Sequence, residues 1–166
     1  INRIGVFLPY TPLHHLLLKE LTVPIVATSA NRSDEPIIRN SVEIIEKLGS
    51  VVDWVLDHDR GIVNANDDSV VQMAGDQKIT LRMARGYAPK SMKLPFKSQK
   101  RILAVGANQK NSITLIFEDT LIISPHIGDL NSLEAFEYFE RTFESFKDFY
   151  DFEPVSYTHL TLPTIC

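Results

Sequence analysis

The chain has 166 residues and a formal net charge of −4; 44 % of its residues are hydrophobic and 23 % are charged. This balance is usual for a soluble globular protein of one domain or of parts of two. No apolar run approaches the roughly 18 residues of a membrane span, and no signal peptide is recognisable. The single cysteine, Cys166, excludes a disulfide framework. We therefore expect a cytoplasmic protein and, since the sequence lacks an initial Met, one that starts within a longer chain.

The first third of the chain predicts two helices and two strands. A helix is expected over Thr11–Leu21, because Thr11 is a good N-cap and Pro12 suits the first helical position. Its apolar face comprises Leu13, Leu16, Leu17 and Leu21. A second helix, Ser41–Leu48, has Gly49 as its stop and an inward face of Val42, Ile45 and Leu48. The strand-like apolar runs are Val23–Ala27, expected to be buried, and Val51–Leu56.

The rest of the chain predicts a hairpin, a boundary and a second α/β region. Ser69–Met73 and Ile79–Met83 form the hairpin, joined by residues 74–77. Residues 91–100, rich in lysine, are the expected linker between domains. Three strands separated by tight turns follow it, namely Arg101–Val105, Ser112–Phe117 and Leu121–Ser124. A long helix then starts at a capping box of Asn131 and Glu134 and buries an aromatic stripe of Phe136, Phe139, Phe143, Phe146 and Tyr150.

The charge is unevenly distributed. Residues 76–101 hold eight Lys or Arg and one Asp, a local balance of +7. Residues 131–153 hold seven acidic and two basic residues, a balance of −5. Both stretches are interpreted first as solvated surface, and the basic one also as a region close to phosphate groups.

Two groups of residues are candidates for binding chemistry. Thr28, Ser29 and Asn31 follow a predicted strand, where ligands bind in open α/β sheets, although the same residues also suit a simple turn. Arg60, Arg82 and Arg85 present planar donor groups that match phosphate oxygens. The turn Asp67-Asp68-Ser69 either orients these arginines or holds Mg²⁺, with Asp68 as the candidate ligand, or is an ordinary surface turn with ion pairs. The scattered histidines show no zinc-binding spacing.

Several strings occur together in a characteristic order. They are Pro9-Tyr10-Thr11-Pro12-Leu13-His14, Ala27-Thr28-Ser29-Ala30-Asn31, His58-Asp59-Arg60, Asp67-Asp68-Ser69-Val70-Val71 and Arg82-Met83-Ala84-Arg85-Gly86-Tyr87-Ala88-Pro89. Their combination resembles the YrdC-like domain of the HypF family. Gly106-Ala107-Asn108-Gln109-Lys110-Asn111 and Ser124-Pro125-His126-Ile127-Gly128-Asp129-Leu130 are similar to the opening of that family's last domain. The resemblance covers Ile1 to about Pro154.

The resemblance implies a fold and a domain division. We expect an α/β protein, with part of a YrdC-like open twisted sheet at 1–90, the linker at 91–100, and at 101–155 the first strands and helix of an actin-like ATPase fold similar to a threonylcarbamoyltransferase. The tail at 156–166 resembles a translated sequencing adaptor, and its His159 and Cys166 are therefore left out of functional arguments.

The resemblance also implies a function. The family is an ATP-dependent carbamoyltransferase of nickel–iron hydrogenase maturation. It converts carbamoyl phosphate into carbamoyl-adenylate with ATP and Mg²⁺, and passes the carbamoyl group to the C-terminal cysteine of its partner HypE. Full-length members also hold zinc and a further metal, whose ligands this sequence lacks, and we expect no full reaction from this segment by itself.

Site roles follow from the same resemblance. Ser29 and Asn31, with Thr28, would hold the carbamoyl–phosphate junction, while Arg60 and Arg82 would bind phosphates. Ser69 would add a hydroxyl to the same pocket, and Arg85 belongs to the same nucleotide-binding group. The family often has Arg where this chain has Ala65, which removes one expected phosphate contact.

Two alternatives remain open from the sequence. One is a threonylcarbamoyladenylate synthase of tRNA modification, which should lack the strings between Gly106 and Leu130. The other is a non-catalytic module that binds double-stranded RNA through the basic stretch of residues 76–101.

Overall fold

The structure, a computed structural model, describes residues 4–33 and 35–154, and the backbone of 156–158. Within these residues the fold is mixed α/β, as predicted. The elements in chain order are α1 (Pro12–Leu21), α2 (Ser41–Leu48), β1 (Val70–Ala74), β2 (Gln77–Arg82), β3 (Lys90–Ala104), β4 (Thr114–Ile123), α3 (Leu133–Phe149) and β5 (Ser156–Thr158). None of the described helices is long and apolar enough to cross a membrane. The remaining residues of the predicted tail, 159–166, lie outside the described residues.

The first two helices begin where their caps dictate. The Thr11 hydroxyl accepts the backbone N–H of His14 at 3.2 Å, and Pro12 occupies the first helical position. Asn40 caps α2 in the same way, through the N–H of Glu43 at 2.8 Å, and Gly49 ends that helix. Each cap satisfies a backbone donor that has no partner inside the helix.

The expected burial of these two helices is wrong within the described part of the chain. The four leucines of the α1 face are 42 to 64 % exposed, and Val42 and Ile45 of α2 are 64 and 60 % exposed. The amphipathic spacing predicted the helices correctly. It did not supply a surface to pack against, because no described helix or strand covers these faces.

The two strands predicted in the N-terminal half are also wrong. Residues 23–27 and 51–56 have no regular secondary structure, and all of them are exposed. An apolar run becomes a strand only when a neighbouring strand pairs with its N–H and C=O groups. No described strand lies beside either run.

The predicted hairpin is confirmed. Strands β1 and β2 pair antiparallel from Ala74 opposite Gln77 to Val70 opposite Arg82. The turn is tighter than expected and consists of Gly75 and Asp76, with Gly75 at φ +61°. Glycine tolerates this left-handed conformation, so the sequence sets both the turn and the register.

Residues 91–100, predicted as an irregular linker, lie within strand β3 instead. Lys90–Lys93 pair antiparallel with Thr120–Ile123, and Ile102–Ala104 pair with Thr114–Ile116. The lysine-rich stretch is thus part of the sheet of the C-terminal half, because exposed strand positions tolerate charged side chains. The division of the chain into domains at this point stays a prediction.

Strand β4 doubles back on itself. The N–H of Ser124 donates to the C=O of Ile113 at 2.9 Å, so the residues flanking the two ends of β4 are neighbours. A straight strand of this length would hold them about 30 Å apart. The bend is at Glu118, whose φ is +51°. The predicted strands Ser112–Phe117 and Leu121–Ser124 correspond to the two arms, and the predicted tight turn lies between them.

Helix α3 begins at a different cap from the one predicted. Ser132, and not Asn131, is the N-cap, and its hydroxyl accepts the N–H of Ala135 at 3.1 Å. The Asn131 side chain instead accepts a hydrogen bond from the side-chain amide of Asn108 at 3.1 Å. The predicted capping box with Glu134 is therefore wrong, because a contact with a neighbouring loop occupies Asn131.

The core of the C-terminal half includes residues of the sheet and is packed by α3. Its buried residues are Leu103, Ile113, Leu115, Ile127 and Phe152. The predicted aromatic stripe packs against this core through Phe139, Phe143, Phe146 and Tyr150. Phe136, predicted in the same stripe, is 44 % exposed and stacks on the ring of Phe139. The helical periodicity thus identified the packed face for four of its five members.

The loop between β3 and β4 depends on Gly106. Its φ is +72°, and a Cβ at this position would lie 2.6 Å from the carbonyl oxygen of Ser112. We expect Gly106→Ala to lower the free energy of unfolding by about 2 kcal/mol or more, from backbone strain and displacement of that carbonyl. Urea unfolding of the full-length protein measures it. Gly61→Ala is the matched control, because Gly61 has open space around it. Equal stability of the two variants would contradict the prediction.

Candidate functional site

The loop of residues 28–31 lies at a cleft of about 250 Å³ between the two halves of the described chain. Ser29 and Asn31 line this cleft, whereas Thr28 is exposed and does not. The Asn31 amide group donates to the carbonyl oxygens of Glu35 at 2.8 Å and Arg32 at 3.0 Å. The interpretation as a local turn is therefore confirmed for Asn31, and ligand binding by this loop stays a prediction.

A second loop, residues 65–69, contacts the side chains of two of the arginines that were predicted as site residues. The Arg82 Nε donates to the carbonyl oxygen of Asp68 at 2.8 Å, and the Arg82 guanidinium lies 3.5 Å from the Asp67 carboxylate. Arg85 lies 3.3 Å from the Asp68 carboxylate, and its guanidinium donates to the Tyr10 hydroxyl at 2.6 Å. The turn thus contacts both arginines through ion pairs, and its role in orienting them toward a ligand stays a prediction.

Ser69 has a structural role in this arrangement. Its hydroxyl donates to the carbonyl oxygen of Arg85 at 2.9 Å and accepts the N–H of Ala84 at 2.8 Å. These bonds join the loop of residues 65–69 to the segment after β2. Ser69 is not among the residues that line the clefts, so its predicted contact with a ligand stays a prediction.

The C-terminal half contributes four polar residues to the same cleft, namely Lys110, His126, Asp129 and Tyr138. The backbone N–H of Lys110 donates to the Asp129 carboxylate at 2.7 Å, which joins the loop after β3 to the one after β4. The backbone N–H of His126 donates to the carbonyl oxygen of Met83 at 2.9 Å, next to Arg82. None of these four residues was predicted as a site residue from the sequence. Three of them lie in the two family-like strings between Gly106 and Leu130, which were the available signal.

The charges around His126 come from both halves of the chain. Partial burial lowers the pKa of His126, the nearby Asp67 opposes this, and Arg82 and Lys110 lower it further, while Asp129 raises it. The imidazole is therefore neutral at pH 7 and available to accept a proton or a hydrogen bond.

A larger cleft, of about 480 Å³, shares part of its lining with the first. Arg82, Lys110 and His126 line both clefts. The larger one also has the hydroxyls of Thr80 and Ser112 and no carboxylate in its lining. Cations with neutral donors favour anionic ligands such as phosphates, so the arrangement is suited to holding a phosphorylated compound between the two halves.

The structure does not bring all predicted site residues together. Ser29, Asn31 and Arg82 line one cleft, whereas Arg60, Arg85 and Thr28 line neither. Arg60 is exposed. The sequence predicted these residues as one group, but only the path of the chain decides which side chains face the same cavity.

No group of three His, Cys, Asp or Glu side chains that could hold a metal occurs among the described residues. The Asp68 carboxylate, the candidate Mg²⁺ ligand, is paired with Arg85. Mg²⁺ commonly takes one or two carboxylates together with phosphate oxygens of a nucleotide, so a role for Asp68 beside bound ATP stays a prediction.

Comparison with family models defines the class of this chain. The model described as "Telomere recombination", that of YrdC-like proteins, matches residues 1–84. The model described as "HypF Kae1-like domain" matches residues 97–161. The chain therefore joins a YrdC-like region to the start of a Kae1-like domain, as the sequence predicted.

Individual relatives specify the family. The chain is 46 % identical over 134 residues to the carbamoyltransferase HypF of Synechocystis, covering 81 % of this chain and 18 % of that protein. It is 37 % identical over 136 residues to the probable carbamoyltransferase HypF of Methanocaldococcus jannaschii, covering 82 % and 18 %. The chain belongs to the HypF family and spans about a fifth of the length of these relatives.

Solved structures agree with this assignment. A full-length HypF in its phosphate- and nucleotide-bound form matches with a TM-score of 0.87 and 40 % identity, over 93 % of this chain and 24 % of that one. The HypF of T. kodakarensis matches with a TM-score of 0.80 and 32 % identity, over 87 % of this chain and 19 % of that one. The fold of nearly the whole chain is thus that of a HypF protein.

Proposed function

We propose that this chain is the part of a HypF carbamoyltransferase in which a carbamoyl group is activated with ATP and handed on. The observation that carries the proposal is the cleft where Ser29, Asn31 and Arg82 meet Lys110 and His126. It combines neutral polar groups with cations from both halves of the chain, and its carboxylates Asp67 and Asp129 pair with Arg82 and Lys110. That combination suits an intermediate with a neutral carbamoyl group and an anionic phosphate.

The activation step is written as a displacement at phosphorus. Carbamate, released from carbamoyl phosphate elsewhere in the full-length protein, attacks the α-phosphorus of ATP through an oxygen. The bond from that phosphorus to the β-phosphate oxygen breaks and pyrophosphate leaves, which forms carbamoyl-adenylate. Such a step depends mainly on positioning and on charge stabilisation. Arg82 and Lys110 would neutralise phosphate charge, while Ser29 and Asn31 would hold the carbamoyl–phosphate junction.

The transfer step passes the carbamoyl group to the partner HypE. The sulfur of the C-terminal cysteine of HypE attacks the carbamoyl carbon, a C–S bond forms, and AMP leaves with the electrons of the broken C–O bond. A neutral His126 in the cleft is suited to accept the thiol proton. The comparisons support the carbamoyltransferase family, and these individual steps are our proposal.

The test is a reaction of the full-length protein with carbamoyl phosphate, ATP and Mg²⁺. We expect pyrophosphate exchange that depends on carbamoyl phosphate, and transfer of labelled carbamoyl to HypE but not to HypE without its C-terminal cysteine. Exchange that requires threonine and bicarbonate instead would overturn the proposal in favour of a threonylcarbamoyladenylate synthase. The match of residues 97–161 to the HypF Kae1-like domain favours the carbamoyltransferase.

A further inference from the structure

Tyr138 connects helix α3 to the loop of residues 65–69. Its hydroxyl donates to the carbonyl oxygen of Ala65 at 2.6 Å and lies 3.5 Å from the side-chain oxygen of Asn66. Burial raises the pKa of the Tyr138 hydroxyl, and the nearby Asp67 raises it further, so the group keeps its proton. The short hydrogen bond from this largely buried hydroxyl restrains the loop at Ala65.

The loop that Tyr138 restrains contacts two of the arginines that were predicted to bind the nucleotide. Arg82 donates to the carbonyl oxygen of Asp68 and pairs with the Asp67 carboxylate. Arg85 pairs with the Asp68 carboxylate, and its backbone N–H donates to the carbonyl oxygen of Asp67 at 3.2 Å. A shift of the loop by a fraction of an ångström therefore moves the Arg82 guanidinium in the cleft.

We propose that Tyr138 is a positioning residue by which the Kae1-like region fixes the Arg82 guanidinium of the YrdC-like region. Tyr138 acts through residues 65–68, because its hydroxyl donates to the carbonyl oxygen of Ala65. The inference rests on the proposed function in one respect, namely that Arg82 binds a phosphate. It adds that the nucleotide site of one region is completed only when the next region is docked on it.

Other contacts between the two regions do not depend on this hydroxyl. The N–H of His126 donates to the carbonyl oxygen of Met83, and Glu134 lies 3.9 Å from the Lys47 ammonium. These contacts hold the regions together at other points of the interface. Removing the Tyr138 hydroxyl is therefore expected to loosen residues 65–68 without separating the regions.

The variant Tyr138→Phe in the full-length protein tests the proposal. The loss of one hydrogen bond that positions an arginine is expected to raise the KM for ATP in pyrophosphate exchange about 3- to 10-fold, with a smaller change in kcat. Hydrogen exchange at the backbone N–H of Arg85 should become faster, because its acceptor lies on the loosened loop. Tyr150→Phe is the matched control, since this tyrosine lies at the end of the same helix and makes ring contacts with Phe146 and Phe149.

Asp67→Asn provides a second measurement. If Tyr138 acts through this loop, Tyr138→Phe should raise the KM for ATP less in the Asp67→Asn protein than in the wild type. Full additivity, an unchanged KM with unchanged exchange at Arg85, or equal effects of Tyr138→Phe and Tyr150→Phe would each overturn the positioning role. The exchange at Arg85 is read without turnover, so it decides this point even if the full-length protein has a different activity.

Discussion

Ser29→Ala and Asn31→Ala together are expected to abolish pyrophosphate exchange that depends on carbamoyl phosphate in the full-length protein. The loss of a single neutral donor from a charged transition state reduces rates about 100- to 1000-fold, and this variant removes the Ser29 hydroxyl together with the Asn31 amide, whose oxygen has no hydrogen bond among the described residues. The side chains line the cleft that also contains Arg82. The measurement is the exchange rate at saturating ATP and carbamoyl phosphate.

The single variants separate binding from local structure. Ser29→Ala removes only a hydroxyl, whereas Asn31→Ala also removes the hydrogen bond to the carbonyl oxygen of Glu35. Ser33→Ala is the control, because Ser33 is an exposed serine of the same segment that does not line either cleft. Exchange that persists in the double variant at the level of Ser33→Ala would remove Ser29 and Asn31 from the site.

Phe152→Ala is expected to cause the largest loss of stability among single substitutions in the C-terminal core. The side chain is 1 % exposed and belongs to a buried cluster that includes Leu103, Ile113 and Leu115. Truncation of a buried phenylalanine costs about 3–5 kcal/mol, because apolar surface is lost and a cavity remains. That is a large share of the total stability of a typical protein, about 5–15 kcal/mol.

Phe149→Ala is the matched control for this prediction. It removes the same side chain three residues earlier, from a position that is 80 % exposed. Its ring contacts that of Tyr150, so a change of about 1 kcal/mol or less is expected. Urea unfolding of both variants, with hydrogen exchange at the strand residues Leu103 and Leu115, makes the comparison. Equal destabilisation by the two substitutions would show that Phe152 does not belong to a core.

Local signals in the sequence were reliable where the relevant interaction is local. The N-cap of α1, the Gly49 stop of α2, the Gly75 turn of the hairpin and the tight turn inside β4 were all anticipated, because a few adjacent residues determine them. The cap of α3 was misplaced by one residue. Its Asn131 side chain bonds to Asn108, which is distant in sequence, and such a contact cannot be read from spacing.

Several predictions that depend on contact with a second segment of the chain were wrong. Residues 23–27 and 51–56 have strand-like composition but no neighbouring strand among the described residues, and the leucines of α1 have no surface to cover. The lysine-rich residues 91–100 have the composition of a linker, yet strand pairing incorporates them in β3. Pairing and burial are properties of two segments together, so the composition of one segment does not decide them.

The sequence by itself determined the α/β class, the two helix starts, the hairpin and the family, because short motifs in a fixed order are specific. The sequence also indicated Ser29, Asn31 and Arg82 as candidate binding residues. Only the tertiary structure decided that these three line one cleft, that Lys110 and His126 join them from the other half, and that Arg60 lies apart. The physical reason is that a binding site depends on distances between side chains far apart in sequence, and those distances are set by how the two halves dock.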